Sequence, residues 1–231
     1  AVIGFRIARA RNLPFFFSAL GTYSVVPFMK RIDRQLFMPA YRGALRIFAI
    51  SLFTAKAMQA AARYKRPIEI VYVPVAMPVK YASMNASLVE LPQGARMILS
   101  VSSFKERKGM EVLIKAMPTI VRNIPQAHLV IVAAGNALPS RLLAEECGVL
   151  NRVHFMESVS ADGLFSLFEQ SDVFVLTPRY TDDQFEGYGL VYGEAGWHKK
   201  PVVASLSGGV PEAVTHGVTG LLVPENDEAE T

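Results

Sequence analysis

Cysteine is almost absent from this 231-residue sequence, which contains Cys147 and no other. A single thiol cannot form an internal disulfide framework, and it excludes a zinc site built on several cysteines. Long apolar runs are also lacking: the stretch LPFFFSALG at residues 13–21 falls short of the roughly 20 residues that a membrane-spanning helix needs. These absences favour a globular protein of a reducing compartment, and we expect it to be cytoplasmic.

Acidic residues are scarce in the first part of the chain. Residues 1–96 contain fourteen Lys and Arg but only three Asp and Glu, a net charge of +11, so the remainder carries −7 of the total of +4. A basic surface attracts phosphates, anionic lipids or nucleic acid, or is simply solvated. Because no recognised nucleic-acid motif accompanies the charge, we expect no nucleic-acid partner. An anionic membrane surface is the other candidate partner, and the protein would then bind peripherally at the inner face of the membrane.

From residue 95 onward, apolar runs of strand length alternate with segments of helical periodicity. This alternation predicts a parallel sheet covered by helices on both faces, in a domain at 95–231. The predicted strands are 95–103, 127–135, 152–158, 171–178, 200–205 and 219–224, and the predicted helices are 108–124, 140–149, 161–170 with Ser160 as N-cap, 188–198 and 209–216.

The first part, residues 1–94, also reads as α/β, but it is short for a domain. It opens in helix-like sequence without a Met, and it has predicted strands at 13–21, 45–51 and 68–74 and a helix at 52–65. The sequence ends in PENDEAET, which is typical of the start of a helix. We therefore expect an incomplete first domain, and a sequence that is part of a longer chain at both ends.

Glycines and unusual polar residues of the second domain concentrate after its predicted strands. Ligands of open parallel sheets bind outside the carboxyl ends of the strands, so a site is expected there. One such segment, FEGYGLVYGEAG at 185–196, places Glu186 and Glu194 eight positions apart around a Gly-Tyr-Gly turn.

Six motifs stand in order along the second half: ILSVSSFKERKGMEVLIKAM, SDVFVLTP, EGYGLVYGEA, KPVVAS, GGVPEAV and GVTGLLV. In this order and spacing they resemble the carboxyl-terminal domain of the retaining family-4 glycosyltransferases, which have the GT-B fold. GTYSVVPF and IFAIS also resemble parts of its first domain. The resemblance implies two Rossmann-like parallel-sheet domains facing a cleft. It also implies transfer of a hexosyl group from a nucleotide-sugar to a hydroxyl with retention, and it implies neither a metal nor another cofactor.

The resemblance also implies roles for particular residues. Glu186 would face the sugar, Glu194 would accept hydrogen bonds from the ribose, and Lys108 would neutralise the leaving diphosphate. Free N–H groups at the tip of the helix after Glu186 would suit phosphate oxygens. The candidate catalytic residues are Glu186 and Lys108, and the candidate donor-binding residues are Gly187, Tyr188, Gly189, Leu190, Glu194, Ser102 and Ser103.

The sequence departs from the family pattern at two positions of the expected site. Leu20 stands where the family often has a histidine, and Ser103 stands where it usually has an arginine, for which Lys105 or Arg107 is a substitute. Three further residues have open roles. Glu212 either contacts the donor or acceptor or caps its own short helix. Arg179 either contacts a phosphate group or the acceptor or has no role in binding. His198 is expected to complement the dipole at a helix end rather than to act in catalysis.

Two functional hypotheses follow. The first is a glycosyltransferase that uses a GDP- or UDP-sugar and a polysaccharide or glycolipid intermediate, since the DDQFEGYGLVYGEAG run resembles members that act on lipid-linked acceptors, including mannosyl transfer from GDP-mannose. The second is a non-catalytic relative that binds the nucleotide-sugar, because two expected contacts are missing. A Rossmann oxidoreductase is disfavoured, since no G-x-G-x-x-G follows the first strands.

Overall fold

The computed structural model describes residues 1–63, 65–75 and 88–231 and contains two parallel sheets. The first sheet has three strands in the order β1-β2-β3: β1 (Phe16–Ala19), β2 (Arg46–Ala49) and β3 (Glu69–Ile70). Its helices are α1 (Val2–Ala10), α2 (Thr22–Met29), α3 (Arg31–Gly43) and α4 (Leu52–Ala62). The three predicted strands are therefore present, although the third is much shorter than the 68–74 segment that the apolar pattern indicated.

The second sheet has six strands in the order β6-β5-β4-β7-β8-β9, all paired in parallel. They are β4 (Arg96–Ser103), β5 (Ala127–Ala134), β6 (Val153–Met156), β7 (Val173–Leu176), β8 (Val202–Ser205) and β9 (Leu221–Val223). The connecting helices are α5 (Met110–Asn123), α6 (Leu138–Glu146), α7 (Ala161–Gln170), α8 (Leu190–Trp197) and α9 (Val210–Ala213). Ser160 caps α7 as predicted, its hydroxyl oxygen accepting from the Gly163 N–H at 3.1 Å.

The strand order of the second sheet fixes where its loops meet. The chain proceeds outward from β4 through β5 to β6 and then returns to the other side of β4 as β7. Loops at such a reversal separate above the carboxyl ends of the strands and leave a crevice between them. The segments after β4 and β7, residues 104–109 and 177–189, therefore flank the expected ligand position.

The first sheet with its helices is called the first unit and the second sheet with its helices the second unit. Each unit has its own buried cluster of apolar side chains, and Phe185 is one of the residues that link them. Phe185 follows β7 in the second unit, yet its ring is buried in the first core, 5.0 Å from the ring of Phe53. Its backbone N–H donates to Thr22 Oγ1 at 2.8 Å, and the Thr22 hydroxyl donates back to the Phe185 carbonyl at 2.6 Å. The glutamate that follows Phe185 is thereby held at the boundary between the units.

The acidic stretch at 224–231 contains turns, and its bonding is that of a helix start, as predicted. The Asp227 carboxylate accepts the N–H groups of Ala229 and Glu230 at 3.1 and 3.0 Å, and the Asp227 carbonyl accepts the Thr231 N–H at 3.2 Å, which is the bonding of a helix N-cap. Within the described ranges, no helix combines the length and apolarity that crossing a bilayer requires.

Candidate functional site

The loop after β4 positions two adjacent cations. A single 3₁₀ turn, Glu106–Lys108, follows the strand, and Gly109 ends it with φ 67°. A Cβ on Gly109 would lie 1.9 Å from the carbonyl oxygen of Thr177, so only glycine lets this loop pack against the segment after β7. Lys108 was predicted at the start of the helix, whereas the structure places it in this turn, before α5.

Both cations contact the carboxylate of Glu186. Lys108 Nζ and Arg107 Nη1 meet the same oxygen, Glu186 Oε2, the second at 3.1 Å. All three side chains are largely buried, with 11% of Arg107, 14% of Lys108 and 12% of Glu186 exposed. The structure thus brings together the two predicted catalytic residues, and it adds Arg107.

The Gly-Tyr-Gly turn leads into α8, which begins at Leu190 with Gly189 as N-cap at φ 87°. The first N–H groups of a helix have no intrahelical acceptor, and they carry the positive end of its dipole. The first one paired within the turn is that of Tyr192, which donates to the Gly189 carbonyl at 3.1 Å. The backbone before Tyr192, including Gly189 and Leu190, therefore offers N–H groups suited to an anion.

Gly187 and Tyr188 lie before this tip and face the first unit. Gly187 is buried against Gly21, where a Cβ on Gly187 would come within 2.8 Å of the Gly21 Cα. The Tyr188 ring is 5.5 Å from the ring of Tyr72. Gly187 was predicted at the helix tip, but it lies before the N-cap, where the two units approach each other closely. The side chain of Tyr188 packs at the same boundary.

Glu194 lies on the second turn of α8 and is half-buried. Burial raises the pKa of its carboxyl group, and the nearby His198 opposes that rise. Within the described part of the chain its carboxylate has no hydrogen-bond partner. The adjacent Gly193 faces Val75 of the first unit, 2.5 Å from the position a Cβ would take, so this part of α8 borders the crevice.

The two predicted serines end β4 and are half-buried. The Ser102 hydroxyl donates to the Ser103 carbonyl at 3.2 Å. Lys105, one candidate for the missing arginine, extends to the first unit, where its ammonium group donates to the Tyr23 hydroxyl at 2.7 Å. Because of that contact, the pKa of the Tyr23 hydroxyl is lowered.

Glu212 has a role that sequence reasoning missed, since it caps a helix of the other unit rather than its own. Its carboxylate accepts the N–H groups of Leu52 and Phe53, at 2.7 and 2.8 Å, at the start of α4. The Tyr72 hydroxyl donates to the same carboxylate at 3.0 Å. The partners are about 160 and 140 positions away, so no local pattern could have indicated them.

Arg179 and His198 both pair with carboxylates, and the backbone N–H of Arg179 donates to the Arg107 carbonyl at 2.9 Å. Arg179 pairs with Glu106 at 3.1 Å and with Glu111 at 2.5 Å. His198 is buried, stacks on Phe168 at 5.1 Å and bonds Glu169 through Nδ1 at 2.7 Å. The expectation that His198 serves a helix end rather than catalysis agrees with this packing, and a phosphate or acceptor contact of Arg179 stays a prediction.

Among the residues that the structure describes, no three His, Cys, Asp or Glu side chains converge as metal ligands.

Comparison with known proteins gives a family match and several relatives. The model of the family Glycosyl transferases group 1 matches residues 88–231. A GDP-mannose-dependent alpha-(1-6)-phosphatidylinositol monomannoside mannosyltransferase of Mycobacterium tuberculosis is 40% identical over 129 residues, 54% of this chain and 34% of that protein. A D-inositol 3-phosphate glycosyltransferase of Corynebacterium efficiens is 35% identical over 146 residues, 60% of this chain and 33% of that protein. The chain spans about a third of the length of these curated relatives.

Solved structures match almost the entire chain. Anabaena HepE in complex with UDP-glucose has a TM-score of 0.79 at 21% identity, covering 99% of this chain and 63% of that chain. Sucrose-phosphate synthase from Thermosynechococcus elongatus has a TM-score of 0.77 at 22% identity, covering 98% of this chain and 58% of that chain. At such identities the likeness shows the fold, and it confirms the predicted α/β architecture of GT-B type, of which the chain contains a part.

Proposed function

We propose, because this chain belongs to the group 1 glycosyl transferases, that it transfers a sugar from a nucleotide-sugar to the hydroxyl group of an acceptor. The observation that carries the proposal is the meeting of Arg107 and Lys108 with Glu186 beside the tip of α8. Two cations and free backbone N–H groups at one crevice match a diphosphate, and a carboxylate beside them matches sugar hydroxyls.

The chemistry follows from charge. Departure of a nucleoside diphosphate builds negative charge on its outer phosphate, and preorganised cations and N–H groups stabilise that charge most when they are shielded from water. Lys108 and Arg107 are largely buried, and we expect them to supply this stabilisation without a metal ion. Glu194, further along α8, would accept hydrogen bonds from the ribose.

We further propose a retaining reaction of the family-4 type. The leaving phosphate would take the acceptor's proton on the face from which it departs, through a state with oxocarbenium character, so the protein needs no strong base of its own. The structure has Leu20 where the family often has a histidine, and this side chain carries no proton to transfer.

The donors to test first are GDP-mannose and UDP-glucose. A relative at 40% identity is named as GDP-mannose-dependent, and a structural neighbour was solved with UDP-glucose. For the acceptor we propose a glycolipid or polysaccharide intermediate, since that relative is named for a phosphatidylinositol monomannoside.

A lipid acceptor is consistent with the surface of the first unit. Exposed apolar side chains on α1 and α3, among them Ile3, Ile7 and Ile32, lie on helices that also carry several arginines. Such a surface suits a peripheral position on an anionic membrane at its cytoplasmic face.

The second candidate is a nucleotide-sugar-binding protein without transfer activity, and the exposed Leu20 favours it: 66% of this residue is accessible where a histidine would be expected. Titration with GDP and UDP and a transfer assay with GDP-mannose and UDP-glucose separate the two. Transfer supports the first candidate, binding without transfer supports the second, and no binding contradicts both. Under the first, Glu186→Ala lowers turnover more than donor affinity, whereas a wild-type rate in that variant would remove the role of Glu186.

A further inference from the structure

We infer that Arg107 is the second cation of the diphosphate site, and that Glu186 competes with the donor's diphosphate for both cations. The inference rests on the proposed function. It assigns the two cations to Glu186 before the donor binds and to the diphosphate afterwards.

Arg107 is placed to bind an anion by three independent features. The 3₁₀ turn sets it next to Lys108, its side chain is only 11% exposed, and its Nη1 already contacts a carboxylate oxygen at 3.1 Å. Its Nε is buried, and within the described part of the chain it has no hydrogen-bond partner. A buried guanidinium N–H without an acceptor is costly, so an acceptor supplied by a ligand would satisfy it.

The alternatives for the missing arginine are less well placed. Lys105 is exposed and directs its ammonium group to Tyr23, donating to the hydroxyl at 2.7 Å and lying 5.0 Å from the ring centre. Ser103 carries no charge and ends β4. Of the cations on the loop after β4, Arg107 and Lys108 converge on one point, whereas Lys105 is held elsewhere.

Glu186 occupies that point. One of its oxygens receives both cations, so the three side chains together carry a net charge of +1 rather than +2. A diphosphate that binds the same N–H groups must displace this carboxylate. Once displaced, Glu186 is free to accept hydrogen bonds from the sugar, and its release is thereby coupled to the arrival of the diphosphate.

The consequence is an opposite response to two substitutions. Arg107→Gln removes a charge-assisted donor to the phosphates, and it leaves Glu186 paired with Lys108. Glu186→Gln removes the competing charge and raises the net charge of the site to +2. Loss of folding cannot produce both effects, because it would weaken binding in each variant.

The test is isothermal titration of this chain and its variants with GDP and UDP at low salt. We expect Arg107→Gln to weaken binding of the recognised nucleotide by about tenfold or more, and Glu186→Gln to strengthen it by roughly threefold or more. Lys105→Gln is the matched control and should stay within about twofold of wild type. With guanosine or uridine, which lack the diphosphate, all four proteins should behave alike.

Several outcomes would overturn the inference. If wild type binds the nucleotide and Arg107→Gln binds it equally well, or if Glu186→Gln binds it more weakly, the inference fails while the proposed function stands. A large loss in Lys105→Gln alone would assign the second cation to Lys105. If wild type binds neither nucleotide, the proposed function fails and this inference fails with it.

Discussion

At the residue scale, Glu194 combines partial burial with a carboxylate that has no partner in the described part of the chain. Because charge-assisted hydrogen bonds contribute about 1.5–3 kcal/mol each, we predict that Glu194→Ala weakens nucleotide binding by about tenfold or more. Calorimetric titration measures this change, with Glu146→Ala on the exposed side of α6 as control. Unchanged affinity in Glu194→Ala would remove the proposed contact with the ribose.

The raised pKa of Glu194 gives that contact a pH dependence. The ionised carboxylate accepts hydrogen bonds from hydroxyl groups more strongly than the protonated one does. Nucleotide affinity is therefore highest above the raised pKa and declines as the pH falls through it. The slope should disappear in Glu194→Gln, and persistence of the same slope would assign it to another group.

Lys199 occupies a conformation that favours glycine. It follows α8 with φ 56°, and its N–H donates to the Gly196 carbonyl at 2.9 Å. Since a side chain in the left-handed region costs about 1 kcal/mol, we predict that Lys199→Gly raises the free energy of unfolding by about 0.5–1 kcal/mol. Lys199→Ala retains the Cβ and serves as control. Chemical denaturation measures the free energy of unfolding of the three proteins, and a Lys199→Gly variant less stable than the wild type would contradict the prediction.

At the scale of elements, the pairing of β5 with β6 places two imidazoles together. His128 Nδ1 lies 3.0 Å from His154 Nε2, and Arg152 Nη1 lies 3.1 Å from His128 Nε2. Burial lowers the pKa of both histidines, and the neighbouring His154 and Arg152 lower that of His128 further. Burial in this pairing therefore favours the neutral form of both rings.

The consequence is acid sensitivity. The unfolded chain takes up protons on these rings near pH 6.5, before the folded chain does. The contribution of the two histidines to the free energy of unfolding is therefore fully present above pH 6.5, and it is lost as the pH drops toward the lowered pKa values. We predict a shallower fall between pH 7 and 5 for His128→Gln. Equal slopes in the wild type and in His128→Gln would contradict the account.

Helices and strands of the second unit were predicted to within a few residues, because its buried strands are continuous apolar runs separated by helical periodicity. Two helices of the first unit, α2 and α3, were not predicted. They contain Pro27 and Pro39, a residue type that ordinarily interrupts helices, and here tertiary packing outweighs that preference. The predicted helix start in the acidic stretch at 224–231 agrees with the N-cap bonds of Asp227.

At the scale of the whole molecule, three of the contacts between the two units lie close to the candidate site. They are the reciprocal bonds between Thr22 and Phe185, the close approach of Gly21 to Gly187, and the capping of α4 by Glu212. The segment that carries Glu186 lies between the first two. The geometry of the candidate site therefore depends on how the units are joined.

We predict that Glu212→Ala weakens this junction. Loss of a helix cap costs about 0.5–2 kcal/mol, and here the lost bonds also join the units. Scanning calorimetry of Glu212→Ala should show a lower Tm and a less cooperative transition than the wild type. Because Glu212→Gln retains an acceptor oxygen, its Tm should lie between those of Glu212→Ala and the wild type. An unchanged transition in Glu212→Ala would mean that the capping bonds do not stabilise the junction.

The candidate site was accessible to sequence reasoning only in part. Lys108, Glu186 and Glu194 lie in motifs whose order indicated their roles, and strand order explains why the loops carrying the first two meet. Neither the contact of Arg107 with Glu186, nor that of Lys105 with Tyr23, nor the cap from Glu212 could be predicted. All three are contacts between residues about 80 to 160 positions apart, which no local pattern encodes.

The most direct test of the account is a crystal structure of this chain with GDP or UDP bound. We predict phosphate oxygens within hydrogen-bond distance of Lys108 Nζ and of the backbone N–H groups at the start of α8, with Glu194 facing the ribose. A nucleotide bound elsewhere, or bound in the crevice with its phosphates away from Lys108 and from Leu190, would contradict the account.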